Sequence, residues 1–109
     1  MTRYLFIESR DPFESLDVQF VVDTAIALKQ DDSEVIIFLV QNGVLAARKN
    51  ARNPHLPLLA RAGVILLADS FSLCERGIEV SELSNGILES NIDMLVDILV
   101  QDNTKAIWH

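Results

Sequence analysis

The only thiol in the chain belongs to Cys74, which is therefore the only candidate for thiol chemistry. It follows a predicted buried strand by about six residues and lies on a short predicted helix, with Arg76 two residues further on. A nearby guanidinium would favour the reactive thiolate if the two side chains meet, whereas the C-terminal end of a helix disfavours it. Isolated cysteines in helices are more often small buried hydrophobic residues. The spacing leaves both roles of Cys74 open.

Small polar residues follow the ends of three predicted strands. They are Ser9, Asn42 with Gly43, and Asp69 with Ser70. In parallel sheets ligands bind beyond the carboxyl ends of the strands, so these five residues form the candidate binding rim. The Asn-Gly pair lacks the further glycines of a loop that cradles phosphate, and we expect no cofactor.

The two histidines, His55 and His109, have neither the spacing of metal ligands nor a carboxylate close to them in sequence, and we expect no metal site. A basic stretch, Arg48-Lys49 with Arg52, could dock an acidic partner or be a solvated loop. Trp108, the only tryptophan, could belong to the core or anchor an interface.

Four short apolar segments predict strands that would hold these residues in place. They are Tyr4–Ile7, Val35–Val40, Val64–Ala68 and Lys105–Trp108, and all but the last are buried, apolar runs.

Helices are predicted between the strands. Asp11 as N-cap, Pro12 at the first position and Glu14 three residues after the cap begin the first helix. Its apolar side is predicted to consist of Phe13, Leu16, Phe20, Val21, Ala25 and Leu28. One or two helical turns are predicted over 44–48, and further helices over 56–62, from Asp69 or Ser70 to 76, and over 91–101. The last is predicted to begin at Ser90 and to have Met94, Leu95, Ile98 and Leu99 on its apolar side.

Strands that alternate with helices predict an α/β three-layer sandwich with a mostly parallel sheet of four to five strands. The 109 residues fit one domain. With 9 basic against 16 acidic residues the net charge is −7, which disfavours nucleic acid as a primary partner. No apolar run approaches the roughly 18 residues of a membrane span, no signal peptide is visible, and one cysteine allows no internal disulfide, so we expect a cytoplasmic protein without a membrane partner.

Three segments together resemble the DsrE/DsrF/DsrH superfamily of sulfur-relay proteins. Residues 39–47 (LVQNGVLAA) are similar to its strand, Asn-Gly-Val turn and small residues. Residues 66–78 (LLADSFSLCERGI) are similar to its strand and short helix that end in Arg-Gly and an aliphatic residue. The tail 92–108 looks most like the DsrH or TusB branch. The order of the segments carries the resemblance, which covers nearly the whole chain.

The resemblance implies a flavodoxin-like domain that forms homo-oligomers, trimers or hexamers, or hetero-oligomers with related subunits and receives sulfur from a donor protein. In active branches a cysteine near the end of the third strand carries persulfide. Counted back from Arg76, that position falls at Asp69 or Ser70, whereas Cys74 lies closer to the arginine. The resemblance therefore favours a subunit that shapes an assembly. The alternatives are a sulfur carrier that uses Cys74 and Arg76, and a small-molecule binding module that uses the rim.

Overall fold

Five parallel strands form a single sheet in the computed structural model, which describes residues 2–13, 15, 17–51 and 54–109. The strands are β1 (Arg3–Glu8), β2 (Glu34–Leu39), β3 (Ile65–Asp69), β4 (Ile87–Ser90) and β5 (Thr104–Trp108), in the spatial order β4-β3-β2-β1-β5. The four predicted strands are confirmed to within a residue at each end. The most buried, β1 and β2, are apolar on both faces because helices cover both sides of them.

Helices cover the two faces of the sheet unequally. They are α1 (Val18–Gln30), α2 (His55–Arg61), α3 (Ser70–Glu75) and α4 (Ile92–Leu99), with 3-10 turns at Gln41–Ala47 and Val80–Glu82. The larger core packs α1, α2 and α3 against one face, whereas the smaller core holds only α4 against the other. This division follows from right-handed crossovers. From β1 to β4, each new strand is added on the same side of the preceding one. The chain then crosses back over the sheet to add β5 on the other side of β1, and this reversal places α4 on the opposite face.

The first helix begins later than the sequence predicts, so that prediction was wrong. Asp11 caps a local turn instead, because its Oδ1 accepts a hydrogen bond from the Phe13 N–H at 3.1 Å, while α1 begins at Val18. Phe13 and Phe20 were assigned to the apolar side but are 64% and 69% exposed. The residues that α1 buries are Val18, Val21, Val22 and Ala25. The predicted roles of Glu14 and Leu16 lie outside the described residues.

The C-terminal half contains a strand that the sequence pattern does not predict. Strand β4 has only four residues, two of them polar, and it lies at the sheet edge, so it has neither the length nor the apolar run of the others. Helix α4 was placed correctly but with the wrong cap. Asn91, not Ser90, is the N-cap, and its Oδ1 accepts a hydrogen bond from the Met94 N–H at 2.9 Å. Met94 and Leu99, predicted on the apolar side, are partly exposed.

The three-layer α/β sandwich with a parallel sheet is confirmed. Its strand order differs from the 2-1-3-4-5 order of flavodoxin itself, because the chain crosses to the far side of β1 only with its last strand. Within the described ranges, none of the helices combines the length and the apolar character that a membrane span needs.

Candidate functional site

The carboxyl ends of all five strands meet at one edge of the sheet because the strands are parallel. This edge holds the predicted rim residues Ser9, Asn42 and Gly43, and Asp69 with Ser70. The structure divides them into two clusters. One surrounds the start of α3, and the other joins the ends of β1 and β5.

The cluster at α3 is built on a buried carboxylate. Asp69 is 5% exposed, and its Oδ2 accepts hydrogen bonds from the Ser72 N–H at 3.0 Å and the Ser72 hydroxyl at 2.7 Å. The same hydroxyl oxygen accepts the backbone N–H of Gln41 at 2.8 Å. Gln41 has a φ of 51°, a left-handed conformation that is uncommon for a residue with a side chain. The network therefore holds the turn after β2 against α3.

Two of the predicted site residues, Asn42 and Arg76, are in direct contact. The Asn42 Oδ1 accepts hydrogen bonds from Arg76 Nε at 3.2 Å and from Nη2 at 3.0 Å. Nη1 of the same guanidinium donates to the Ser72 carbonyl at 3.2 Å. Arg76 thus connects the end of α3 to the turn after β2, and its donors are directed to these oxygens.

Cys74 lies away from that contact. Its side chain is exposed and lines a shallow hollow together with Ser70, Glu79 and Glu89. A thiolate or persulfide anion there would share the hollow with two carboxylates. Reactive cysteines instead lie in electropositive surroundings. The hollow therefore offers an anionic sulfur no evident stabilisation.

Gly43 belongs to the second cluster for a steric reason. A Cβ at this position would lie 2.3 Å from the backbone carbonyl oxygen of Glu8, a separation that atoms do not tolerate. That carbonyl also accepts the N–H of Val40 at 3.0 Å. Glycine is required because the turn after β2 passes directly over the end of β1.

The ends of β1 and β5 are joined by side chains that sequence reasoning did not pair. The Nδ1 atom of His109 lies 2.9 Å from both carboxylate oxygens of Glu8, which is 3% exposed. Ser9 donates both its N–H and its hydroxyl to the His109 carbonyl at 2.8 Å. Glu8 stands out in sequence as a charged residue at the end of an apolar strand. Its partner is 101 positions away and becomes visible only when β5 pairs with β1.

Glu8 also borders a small apolar hollow between the sheet and the first two helices. Arg10, His55 and Gly43 line it together with aliphatic side chains of α1, β2 and α2. Among residues 2–13, 15, 17–51 and 54–109, no group of histidine, cysteine and carboxylate side chains is arranged to hold a metal ion. The described polar side chains at this edge form hydrogen bonds and charge pairs with one another, as in the Asp69–Ser72, Asn42–Arg76 and Glu8–His109 contacts.

The fold is shared with solved structures whose sequences are distant. The protein of unknown function MTH1491 from Methanobacterium thermoautotrophicum is similar over 100% of both chains, with a TM-score of 0.84 and 19% identity. The ychN protein from E. coli is similar over 98% of this chain and 100% of that chain, with the same TM-score of 0.84 and 19% identity. No protein-family model matches the sequence, and no curated protein is significantly similar to it. At this identity the likeness establishes the fold class alone, an α/β domain with a parallel sheet.

Proposed function

We propose that this chain is a partner-binding subunit of a cytoplasmic sulfur-relay assembly and is not itself the main sulfur carrier. The sulfur-relay part rests on the resemblance of residues 39–47, 66–78 and 92–108 to the DsrE/DsrF/DsrH superfamily. The position that holds the carrier cysteine in that resemblance is occupied here by Asp69 and Ser70. Asp69 is the N-cap of α3, where its side chain accepts a hydrogen bond from the Ser72 N–H, and this role is structural.

The observation that carries the subunit proposal is the exposed apolar surface on one side of the sheet. We call the side that α4 covers the α4 face. Six of its exposed apolar side chains, here named the α4-face patch, are Ile65, Phe71, Leu88, Ile92, Val96 and Trp108, each between 42% and 68% exposed. Large exposed apolar surfaces mark interaction sites, since burying them in a partner removes them from water.

Strand register places the sheet residues of the patch on this face. Ile65 is level with Ile36, and Trp108 with Ile7, and both partners belong to the core beneath α4. Leu88 is level with Leu67, which packs against the same core. Within the described part of the chain, α4 is the one helix that contributes to that core, and no described helix covers the β3–β4 side of the face.

The assembly could contain copies of this chain, as a trimer or hexamer, or related subunits with a sulfur-donor protein among them. In the second arrangement the interface would bury the α4-face patch. The cytoplasm is the compartment in which a relay that depends on free thiols stays reduced.

A persulfide-loading experiment separates the subunit from a carrier. The purified chain and its Cys74→Ser variant are exposed to a persulfide donor, and their intact masses are compared before and after reduction. The proposal predicts that neither protein gains the mass of one sulfur atom, while the assembly survives. A gain on the unsubstituted chain that reduction removes and that Cys74→Ser abolishes would establish Cys74 as a carrier and contradict the proposal.

The small-molecule alternative is tested separately by thermal unfolding with nucleotides and inorganic anions. Binding to the rim would raise the melting temperature, and Arg76→Gln would remove the increase. The proposed function predicts no such increase, because Asn42 and Ser72 already accept hydrogen bonds from the guanidinium of Arg76.

A further inference from the structure

The α4 face carries apolar side chains together with acidic ones. Asp93 lines a hollow with Phe71 and Ile92, and Glu75 lines the adjoining hollow that contains Trp108. Asp97 is exposed on α4 itself. Asp93 and Glu75 thus lie beside side chains of the patch, and Asp97 lies on the same helix as Ile92 and Val96.

Among the described residues, the one basic side chain that strand alternation places on this face is an arginine that already has a partner. By strand alternation Arg3 lies on the same side as Leu5, and its guanidinium donates to Glu34 at 3.1 Å. The remaining Lys and Arg residues of the described part of the chain lie at the rim, in loops or on the opposite side: Arg10, Lys29, Arg48, Lys49, Arg61, Arg76 and Lys105. The face is therefore apolar and acidic, in a protein whose net charge is −7.

Two copies of the chain would not pair well through this face. A two-fold interface brings the same patch together on both subunits. Asp93 and Asp97 of one copy would then lie close to the acidic groups of the other, and like charges brought together at an interface are unfavourable.

A head-to-tail contact between copies has a different difficulty. The basic residues Lys29 and Arg61 lie on α1 and α2, which pack on the opposite face of the sheet. An acidic face that stacks directly on the opposite face of the next copy gives an open filament, because a head-to-tail contact forms a ring only where the rotation between copies closes. Two-fold pairing through the α4 face therefore lacks complementary charge, and direct stacking on the face that carries Lys29 and Arg61 does not close.

We infer that the α4 face docks a different protein, whose contact surface has apolar side chains at its centre and lysine or arginine at its rim. This inference rests on the proposed function, since it names the partner chemistry of the proposed subunit. Burial of the patch supplies the affinity, and the carboxylates select a basic partner and speed its approach. Trp108, the only tryptophan, lies in the patch and reports its burial by fluorescence.

The test uses two synthetic amphipathic helical peptides without tryptophan. They have the same leucines but carry lysine in one and glutamate in the other. Each is titrated into the full-length chain at 25 mM and 250 mM salt, which give weak and strong screening with Debye lengths of roughly 20 Å and 6 Å. The lysine peptide is expected to shift Trp108 emission to the blue in a saturable way, with affinity at least about tenfold weaker at the higher salt, and the glutamate peptide is expected to have no effect.

Matched variants locate the contact. Asp93→Asn/Asp97→Asn is expected to weaken binding of the lysine peptide about tenfold, and Val96→Gln is expected to weaken it through lost apolar contact. Asp23→Asn/Asp31→Asn removes the same charge from the exposed surface of α1 and its end, away from the α4 face, and is expected to leave binding unchanged.

Three results would overturn the inference. They are equal affinity for the two peptides, equal weakening by the two double variants, and a blue shift of Trp108 on concentrating the chain alone with a matching rise in mass. The last result would identify a second copy as the occupant and would leave the proposed assembly function standing. Loss of the proposed function would appear instead as persulfide loading of Cys74, which this titration does not measure.

Discussion

The imidazole of His109 and the carboxylate of Glu8 join the last strand of the sheet to its first. The Nδ1 atom lies 2.9 Å from each carboxylate oxygen, and Oε1 also accepts the N–H of Arg10 at 3.0 Å. In the described sheet, β5 is an edge strand paired with β1. The Glu8–His109 contact therefore stabilises this strand at the rim, where the other candidate site residues also lie.

Replacing His109 by alanine should destabilise the fold. The buried Glu8 carboxylate would lose a donor, and a hydrogen bond to a charged group contributes about 1.5–3 kcal/mol. Urea unfolding measures the difference in the free energy of unfolding. His109→Asn, which can still donate, should lose less, and Lys105→Gln on the exposed side of β5 should change stability little. Equal losses for all three variants would show that the Glu8 contact contributes nothing specific.

Replacing Gly43 by alanine should cost more stability than the same change at Gly77. At position 43 the new Cβ would meet the Glu8 carbonyl, a backbone atom that cannot move aside without disturbing β1 and β2. At position 77 there is open space, and only the φ of 65° opposes a side chain. We expect losses of about 3 kcal/mol and about 1 kcal/mol in urea unfolding. A smaller loss at position 43 would contradict the close approach of the two segments.

Replacing Ser72 by alanine should destabilise the turn after β2. The change removes the donor to Asp69 Oδ2 in a buried hydrogen bond and the acceptor for the Gln41 N–H in a part-buried one, and we expect a loss of about 1–3 kcal/mol. Ser81→Ala, at an exposed serine, is the control and should be nearly neutral. Hydrogen exchange of the Gln41 amide gives a second measure, and unchanged protection in Ser72→Ala would rule out the network described here.

Replacing Cys74 by serine should leave stability and assembly unchanged. The side chain is exposed, and substitutions at such positions change the free energy of unfolding by no more than about 0.5 kcal/mol. Urea unfolding and sedimentation of the variant are the measurements. A large loss of stability would mean that Cys74 is packed, and dissociation of the assembly would place it at the interface.

Sequence reasoning predicted the sheet better than the helix ends. The β-branched run Val35-Ile36-Ile37 favours an extended strand, and the structure has strand β2 there. The start of α1 was misjudged because Asp11 and Pro12 form an equally good signal for a turn. Strand β4 was missed because pairing with β3, rather than apolar content, decides its conformation.

The candidate site, too, could be predicted only in part from the sequence. The rim could be predicted because parallel strands carry their carboxyl ends to one edge. The sequence predicted Asp69 or Ser70 as the cap of α3, and Asp69 is the cap. The Glu8–His109 contact could not be predicted, because nothing in the sequence indicates that β5 lies beside β1. The Asn42–Arg76 contact spans 34 positions and likewise depends on how the turn after β2 packs on α3.

Native mass spectrometry of the protein purified from its own cells tests the central claim most directly, because it measures the assembly and its bound sulfur in one spectrum. The account predicts this chain, at 12.2 kDa and without added sulfur, in a complex that includes a chain of different mass. A free monomer that carries the mass of an extra sulfur atom on Cys74, removable by reduction, would contradict it.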